Sequence, residues 1–80
     1  MKEKINSRNR SRYIILGLNI AYYRKKNGLT QAELAEITKL SRTHISNIEA
    51  PSMPHSISLE ALFKISDALQ IEPYKLLIER

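Results

Sequence analysis

The sequence has no cysteine and no tryptophan, and only two glycines, three prolines and one phenylalanine among its 80 residues. Without cysteine the chain can form neither a disulfide framework nor a thiolate metal site, which is compatible with a reducing cytosol. Its apolar runs are too short to cross a membrane, and it does not open on an apolar segment with a small-residue cleavage site. We therefore expect a cytoplasmic protein that does not contact a membrane.

Positive charge is present in excess and is unevenly distributed. The chain carries 13 Lys and Arg against 8 Asp and Glu, a formal net charge of +5. Residues 1 to 50 hold 10 basic and 4 acidic side chains, whereas residues 51 to 80 hold 3 and 4. The N-terminal part is thus the better candidate for a surface that binds a polyanion. A domain of this size buries only about 60% of its unfolded surface, which leaves little room for an enclosed active site.

The chain divides into a basic tail and one helical domain. The segment MKEKINSRNRSR contains five basic residues and too little apolar area to offset the entropy of ordering it, so we predict a flexible tail over residues 1–10 and a domain over residues 11–80. A first helix is predicted from about Ser11 to Lys26, ended by Asn27-Gly28. Its apolar residues follow a helical period: Tyr13, Leu16, Ile20 and Tyr23. A second apolar stripe, Ile15, Leu18 and Tyr22, needs to be covered by a fifth helix or by a partner chain.

Two helix starts follow, and their sequence patterns are similar. In LTQAEL, Thr30 is a predicted N-cap, Glu33 completes a capping box, and Leu29 and Leu34 form a hydrophobic staple. In KLSRTHI, Ser41 is the N-cap and Leu40 and Ile45 form the staple. Two short helices that begin at about residues 31 and 42 indicate a helix-turn-helix over about residues 31–50.

The remainder of the chain is also predicted to be helical. Ser58 can cap a fourth helix with a 3.6-residue apolar period, and Pro73 suits the first position of a short fifth helix that ends near Ile78. No stretch alternates apolar and polar residues as a half-buried strand would. The predicted fold class is all-α, with five helices and no sheet.

The helix that begins after Ser41 presents two different faces. Ile45 and Ile48 fall on one side, and the opposite arc carries hydrogen-bonding side chains: Arg42, Thr43, Ser46 and Asn47. Such groups suit the major groove, because arginine can donate to guanine O6 and N7 and asparagine can pair with adenine N6 and N7. The alternative is an ordinary solvated helix face.

Two segments carry a resemblance to a known family: LGLNIAYYRKKNGLTQAELAEITKLSRTHISNIE and SLEALFKISDALQIEPYKLL. Together they resemble the phage-repressor, Cro and Xre-type helix-turn-helix family over about residues 16–77. The resemblance implies a compact, five-helix, lambda-repressor-like domain that binds double-stranded DNA, usually as a homodimer on a pseudo-palindromic operator. From the residues themselves we expect no cofactor, no metal and no small-molecule ligand.

The resemblance also assigns roles by position. Thr30 and Gln31 match the start of the helix that lies across the DNA backbone, with Gln31 contacting phosphate and bracing the recognition helix. Arg42 and Thr43 match the first base-reading positions and Asn47 a later one. The positions that more often touch backbone or flanking bases are Ser41, His44 and Ser46. Arg24 and Glu49 match a salt bridge between helices 1 and 3; without the resemblance they could be two independent exposed charges.

The sequence departs from the family pattern at three places. Lys39 stands at the turn position usually held by glycine, so either the turn changes shape or the chain accepts strain of about 1 kcal/mol. The loop APSMPHS replaces a glycine-containing, often basic loop that touches phosphate. Gln70 follows the fourth helix where glycine is common. The basic tail either stays disordered or acts as an arm on DNA, as in some relatives.

These observations predict a sequence-specific DNA-binding transcription regulator, a dimeric repressor or a restriction-modification controller. The alternative is a protein-interaction module of antitoxin or adaptor type without strong DNA binding. RNA binding is less favoured, because no exposed aromatic platform is evident. The sequence does not favour an enzyme: it has no nucleophile and base pair, no glycine-rich phosphate loop and no metal cluster, and His44 and His55 are isolated.

Overall fold

The computed structural model describes residues 5–80, and this part of the chain contains helices and no strand. Four α-helices follow in order: α1 (Arg10–Lys26), α2 (Gln31–Thr38), α3 (Arg42–Glu49) and α4 (Leu59–Leu69). A 3-10 turn, Ser7–Asn9, precedes α1, and a second, Pro73–Leu76, follows α4. Within the described residues, no helix has the length and apolar character needed to span a membrane.

The four helices and the C-terminal 3-10 turn share one apolar core. Its completely buried members come from every element after the N-terminal turn: Ile20, Leu34, Ile45, Ile65, Leu69 and Leu76. Because α2 and α3 each contribute only a short apolar face, both are held in place mainly by packing against this core rather than by their own helical stability.

The predicted helix starts at Thr30, Ser41 and Ser58 are confirmed. At α2 the capping box is complete, since Glu33 N donates to Thr30 Oγ1 over 3.0 Å and Thr30 N donates to Glu33 Oε1 over 2.8 Å. Ser41 Oγ accepts from the backbone N–H of His44, and Ser58 Oγ accepts from that of Ala61. These side chains satisfy backbone donors that would otherwise have no partner at the helix N-termini.

Lys39 keeps the turn conformation that glycine usually provides. Its backbone is left-handed, with φ 63° and ψ 22°, at the end of α2, and Gln70 ends α4 with φ 58° and ψ 43°. The turn between α2 and α3 therefore retains its shape, and the chain accepts strain of about 1 kcal/mol at Lys39 because a Cβ is unfavourable in this region.

The prediction of five helices is wrong, because the fifth segment forms only the 3-10 turn Pro73–Leu76. The cause lies in α1, where Asn19 is 2% exposed. Its Nδ2 donates to the carbonyl oxygens of Leu76 and Ile78 over 3.0 and 2.8 Å. This buried amide ties the end of the chain to α1 at two successive points.

The N-terminal end of the helical region includes a 3-10 turn that the sequence does not predict. Residues 1–4 of the predicted flexible tail lie outside the described residues. Ser7–Asn9 form a 3-10 turn, in which Asn6 Oδ1 accepts from Arg8 N over 2.8 Å, and α1 begins at Arg10. Helical structure thus starts four residues earlier than Ser11, because Asn6 supplies a cap that the tail's low apolar content does not reveal.

Candidate nucleic-acid interface

Helix α3 buries its apolar side and exposes its polar side. Ile45 and Ile48 lie in the core, whereas Arg42, Thr43 and Ser46 are exposed. Within residues 5–80, the hydrogen bonds of the structure do not use the side chains of these three exposed residues. Their donors and acceptors are therefore available to a ligand outside the domain.

An open polar cleft of about 290 Å³ lies between the start of α2 and the exposed face of α3. It is lined by Gln31, Arg42, Thr43 and Ser46. Four residues that were selected separately in the sequence thus come together in the fold. A guanidinium, two hydroxyls and an amide in one cleft can donate to phosphate oxygens and to the acceptor atoms of base edges.

The remaining predicted contact residues do not line this cleft. Thr30 and Ser41 are exposed, and each already uses its hydroxyl oxygen to cap a helix. His44 and Asn47 are half-buried. Since a capping hydroxyl accepts through oxygen and keeps its own proton, Thr30 and Ser41 can still donate one hydrogen bond outward.

Glu49 at the end of α3 joins three helices. Arg24 Nε and Nη2 donate to its two carboxylate oxygens over 2.8 and 2.9 Å, a bidentate pair. Gln31 Nε2 donates to Glu49 Oε1 over 3.0 Å. Arg24 also donates through Nη1 to the carbonyl of Leu29 over 2.8 Å. This network links α1, α2 and α3, together with the segment before α2, so it fixes how α3 is oriented.

The two charged side chains of this network, Arg24 and Glu49, are both buried. Arg24 and Glu49 are each 8% exposed. The hydrogen bond to Glu49 raises the pKa of Arg24, an effect that burial partly opposes. Gln31 is half-buried and spends only one of its two Nε2 protons on Glu49. Its second proton is therefore free to reach a phosphate while the first holds the side chain in position.

The sequence patterns do not identify Gly17 and Asn19, yet these two residues determine where α3 and the chain end lie. A Cβ built on Gly17 would overlap the carbonyl oxygen of Ile48 and lie 3.3 Å from Cα of Glu49, so α1 packs directly on the backbone of α3. Asn19 holds the C-terminal segment. The only sequence signal for either is its type and place: a glycine and an asparagine inside an apolar helical pattern, where both are uncommon.

The described residues contain no group of three or more His, Cys, Asp or Glu placed to hold a metal ion.

The second apolar stripe of α1 is covered in part by the chain end. The Arg80 guanidinium lies 3.8 Å from the centre of the Tyr22 ring, yet Leu18 is still 44% exposed. Of the two predicted covers, a fifth helix or a partner chain, the first is replaced by the 3-10 turn and the residues after it, which leave part of the stripe open.

Comparison with protein families gives one match over most of the chain. The profile of the family HTH_3, described as helix-turn-helix, matches residues 20–76. The matched segment begins inside α1 and ends with the C-terminal 3-10 turn, so it contains the cleft and the network around Glu49.

Individual proteins of known character are similar over a comparable length. The chain is 38% identical over 63 residues to the control protein C.SmaI of Serratia marcescens, covering 79% of this chain and 73% of that protein. The crystal structure of the restriction-modification controller protein C.AhdI from Aeromonas hydrophila superposes with a TM-score of 0.76 at 29% identity, covering 82% of this chain and 97% of that one. The N-terminal DNA-binding domain of SinR from Bacillus subtilis gives 0.75 at 32% identity, with 82% and 94% covered.

Proposed function

Because the chain belongs to the helix-turn-helix family HTH_3, we propose that it is a sequence-specific DNA-binding transcription regulator that reads the major groove with α3. One observation carries this proposal: Arg42, Thr43 and Ser46 form an exposed hydrogen-bonding face that shares a cleft with Gln31. The helix that presents them is fixed from behind by Ile45 and Ile48 in the core. A rigid helix with several outward donors is the arrangement that direct reading of base edges requires.

The roles of the individual side chains follow from their chemistry. Arg42, in the first turn of α3, is placed to donate two hydrogen bonds to guanine O6 and N7, and the methyl group of Thr43 can contact a thymine methyl. Asn47, one turn further along, can pair with adenine. Gln31 binds phosphate and sets the register of α3 without carrying sequence information. Thr30, Ser41, His44 and Ser46 contact backbone or flanking bases.

The biological role that we propose is that of a controller or repressor of the restriction-modification type. C.AhdI is described as a restriction-modification controller protein and C.SmaI as a control protein, and both match this chain over about four-fifths of its length. A regulator of this kind needs no enclosed ligand site, and its occupancy of an operator depends on its own concentration.

We further propose that the protein acts as a homodimer on a pseudo-palindromic operator. The described domain measures 32 × 28 × 21 Å, and the centres of two half-sites lie about 34 to 36 Å apart, one helical turn of DNA. One domain can therefore read one half-site, and a second copy is needed for the other. The surface that fits a second copy is an apolar groove of about 330 Å³, whose rim includes Leu59 and Leu77, 67% and 59% exposed.

The proposal is tested by selecting bound duplexes from a random DNA pool and measuring affinity for the selected site and its single-base variants. Arg42→Ala is expected to weaken binding to the selected site by about 1 to 3 kcal/mol and to remove the preference at one base step. Gln31→Ala should weaken all duplexes alike. Lys64→Ala, which removes an exposed cation from α4, is the matched control and should change neither quantity.

Two results would count against the reading helix or against DNA binding itself. If Arg42→Ala leaves both affinity and base preference unchanged, α3 does not read bases in the proposed way. If the selection returns no enriched duplex, and association with DNA does not fall steeply between about 50 and 200 mM salt, the alternative of a protein-interaction module is favoured.

A further inference from the structure

Three arginines at the N-terminal end of the described chain are not used by the proposed reading face. Arg8, Arg10 and Arg12 are all exposed. From residue 5 to residue 32 the sequence contains no Asp or Glu. Among the described residues, the structure forms no salt bridge to any of these three arginines. Within residues 5–80 their charge is therefore not neutralised by a paired carboxylate, and it adds to the positive potential of this part of the molecule.

The fold places this cluster beside the exit of α3. Arg10 Nη2 lies 3.4 Å from the carbonyl oxygen of Ser52, to which it donates. Ser52 is only three residues beyond Glu49, the last residue of α3. The direct packing of Gly17 on the backbone of Ile48 holds the N-terminal half of α1 against the same end of α3. Arg10 thus lies at the opposite end of α3 from Arg42, and Arg8 lies in the 3-10 turn that directly precedes α1.

The separation of the two basic ends suits the width of a DNA groove. An eight-residue helix such as α3 is about 12 Å long, and the major groove is about 12 Å wide. With α3 in the groove, Arg42 lies near one end of the helix and Arg10 lies beyond the other. The loop between α3 and α4, residues 50–58, contains no Lys or Arg, so any basic contact at this end has to come from α1 or from the turn before it.

The three arginines differ in what else they contact. Arg12 donates to Asn9 Oδ1 over 2.9 Å and lines the apolar groove together with Leu59 and Leu77. It therefore faces the proposed dimer surface. Arg10 makes one long hydrogen bond to a neutral carbonyl, and in the described residues the side chain of Arg8 forms no hydrogen bond. For the guanidinium groups of Arg8 and Arg10, a charged phosphate oxygen is a stronger hydrogen-bond acceptor than a neutral carbonyl or solvent.

We propose that Arg8 and Arg10 bind phosphates of the DNA backbone next to the C-terminal end of α3, where the loop after α3 supplies no cation. The site rests on the proposed function and adds to it a second, sequence-independent anchor. Gln31 and Arg42 hold the DNA at one end of α3, and the N-terminal arginines hold it at the other. Fixing both ends of the recognition helix sets its angle in the groove.

The test is the salt dependence of binding to the duplex recovered by random selection, compared with a mixed-sequence duplex of the same length. In the double variant Arg8→Gln with Arg10→Gln, the slope of log K against log salt should fall in magnitude by about 1.8, because each lost phosphate contact removes about 0.9. Affinity at about 0.1 M salt should fall roughly 50-fold on both duplexes, and the preference between them should not change.

The matched control is Lys64→Gln with Lys75→Gln, which removes the same charge from exposed positions on α4 and the C-terminal turn. It should leave the slope unchanged. Ethylation of single phosphates adds a positional readout: the arginine variant should become insensitive to ethylation at one or two phosphates that interfere with the unaltered protein. Circular dichroism of both variants establishes that they are folded.

The outcomes separate this inference from the function on which it rests. If the unaltered protein selects a duplex but the arginine variant keeps its slope and its ethylation pattern, the anchor is wrong and the function stands. If the lysine control lowers the slope equally, the effect comes from net charge, which also contradicts the anchor. If the unaltered protein shows no salt-dependent binding to any duplex, both the function and the anchor are overturned.

Discussion

At the scale of single residues, Glu49 fixes the orientation of α3, the helix that we propose reads DNA. Its two oxygens accept three hydrogen bonds, two from Arg24 and one from Gln31. A buried carboxylate with this many donors is satisfied, whereas a buried guanidinium left without it would be an unpaired charge. The hydrogen bond to Glu49 raises the pKa of Arg24 in the folded state, so the stability that comes from this shift is lost only as the pH rises through the raised pKa of Arg24.

Glu49→Gln is expected to lower the free energy of unfolding by about 3 kcal/mol, because it leaves the buried Arg24 without a counter-charge. Urea denaturation measures this value. DNA affinity should also fall on all sequences, since Gln31 loses its anionic acceptor.

The double variant Arg24→Met with Glu49→Leu is the control, because it removes both charges and fills the space with apolar atoms. It should recover much of the lost stability while DNA binding stays weak. If Glu49→Gln is as stable as the unaltered protein, water must already solvate the charge of Arg24, and the prediction is wrong.

The residues of the site differ in how far the sequence predicts them. Arg42, Thr43 and Ser46 follow from helical periodicity, because the isoleucines of the same helix reveal which side is buried. The pairing of Arg24 with Glu49 spans 25 positions and is suggested only by the family resemblance. Asn19 gives only a weak signal, an asparagine inside an apolar helical pattern, and that pattern does not reveal the chain end that the buried amide binds.

At the scale of helices, the contact between α1 and α3 depends on a missing side chain. Gly17 allows the backbone of α1 to touch the backbone of Ile48. In an isolated helix, replacing a glycine with alanine would increase helix stability, since Gly costs about 1 kcal/mol relative to Ala. At position 17, helix propensity favours alanine, whereas packing against α3 favours glycine. An alanine Cβ would overlap backbone atoms of Ile48, which cannot rotate away as a side chain could.

Gly17→Ala is therefore expected to destabilise the protein by about 1 to 3 kcal/mol despite its better helix propensity, because α1 and α3 must separate. Thermal unfolding followed by circular dichroism measures the change.

Ala21→Gly in the same helix serves as a comparison for propensity alone and should cost about 1 kcal/mol. An increase in the melting temperature of Gly17→Ala would contradict the close approach. In the destabilised variant, the displaced α3 should also bind the selected duplex more weakly.

Element boundaries were predictable where a side chain acts locally. The starts of α2, α3 and α4 follow from Thr30, Ser41 and Ser58, because a cap bonds to a backbone group three residues away. The C-terminal segment was not predictable in this way. Its conformation is set by Asn19, which lies 57 positions from Leu76, and a local pattern contains no information about such a partner.

At the scale of the whole molecule, apolar area remains exposed around the end of the chain. Leu59 and Leu77 flank one groove, and these residues belong to elements that are far apart in sequence. Grouping of this kind is typical of a surface that associates with another copy of the same chain, since a twofold contact uses one patch twice.

The variant Leu59→Gln with Leu77→Gln is expected to be monomeric at concentrations where the unaltered protein is a dimer, because the apolar area available to the interface is reduced. Sedimentation equilibrium measures the association constant, and affinity for a two-half-site duplex should fall more than affinity for a single half-site.

Ile37→Gln is the matched control, since Ile37 is equally apolar and 53% exposed on α2 but does not line the groove. It should associate like the unaltered protein. Equal association constants for all three proteins would place the interface elsewhere.

The hydrogen bonds of Asn19 also bear on how the molecule folds. They close a loop between the middle of α1 and the residues Leu76 and Ile78, so the core is complete only after α1 and the C-terminal segment have met. Closing so long a loop is slow compared with forming the capped helices within it. Once closed, the loop encloses α2, α3 and α4, and the domain is expected to lose all of its helices in one cooperative transition rather than one by one.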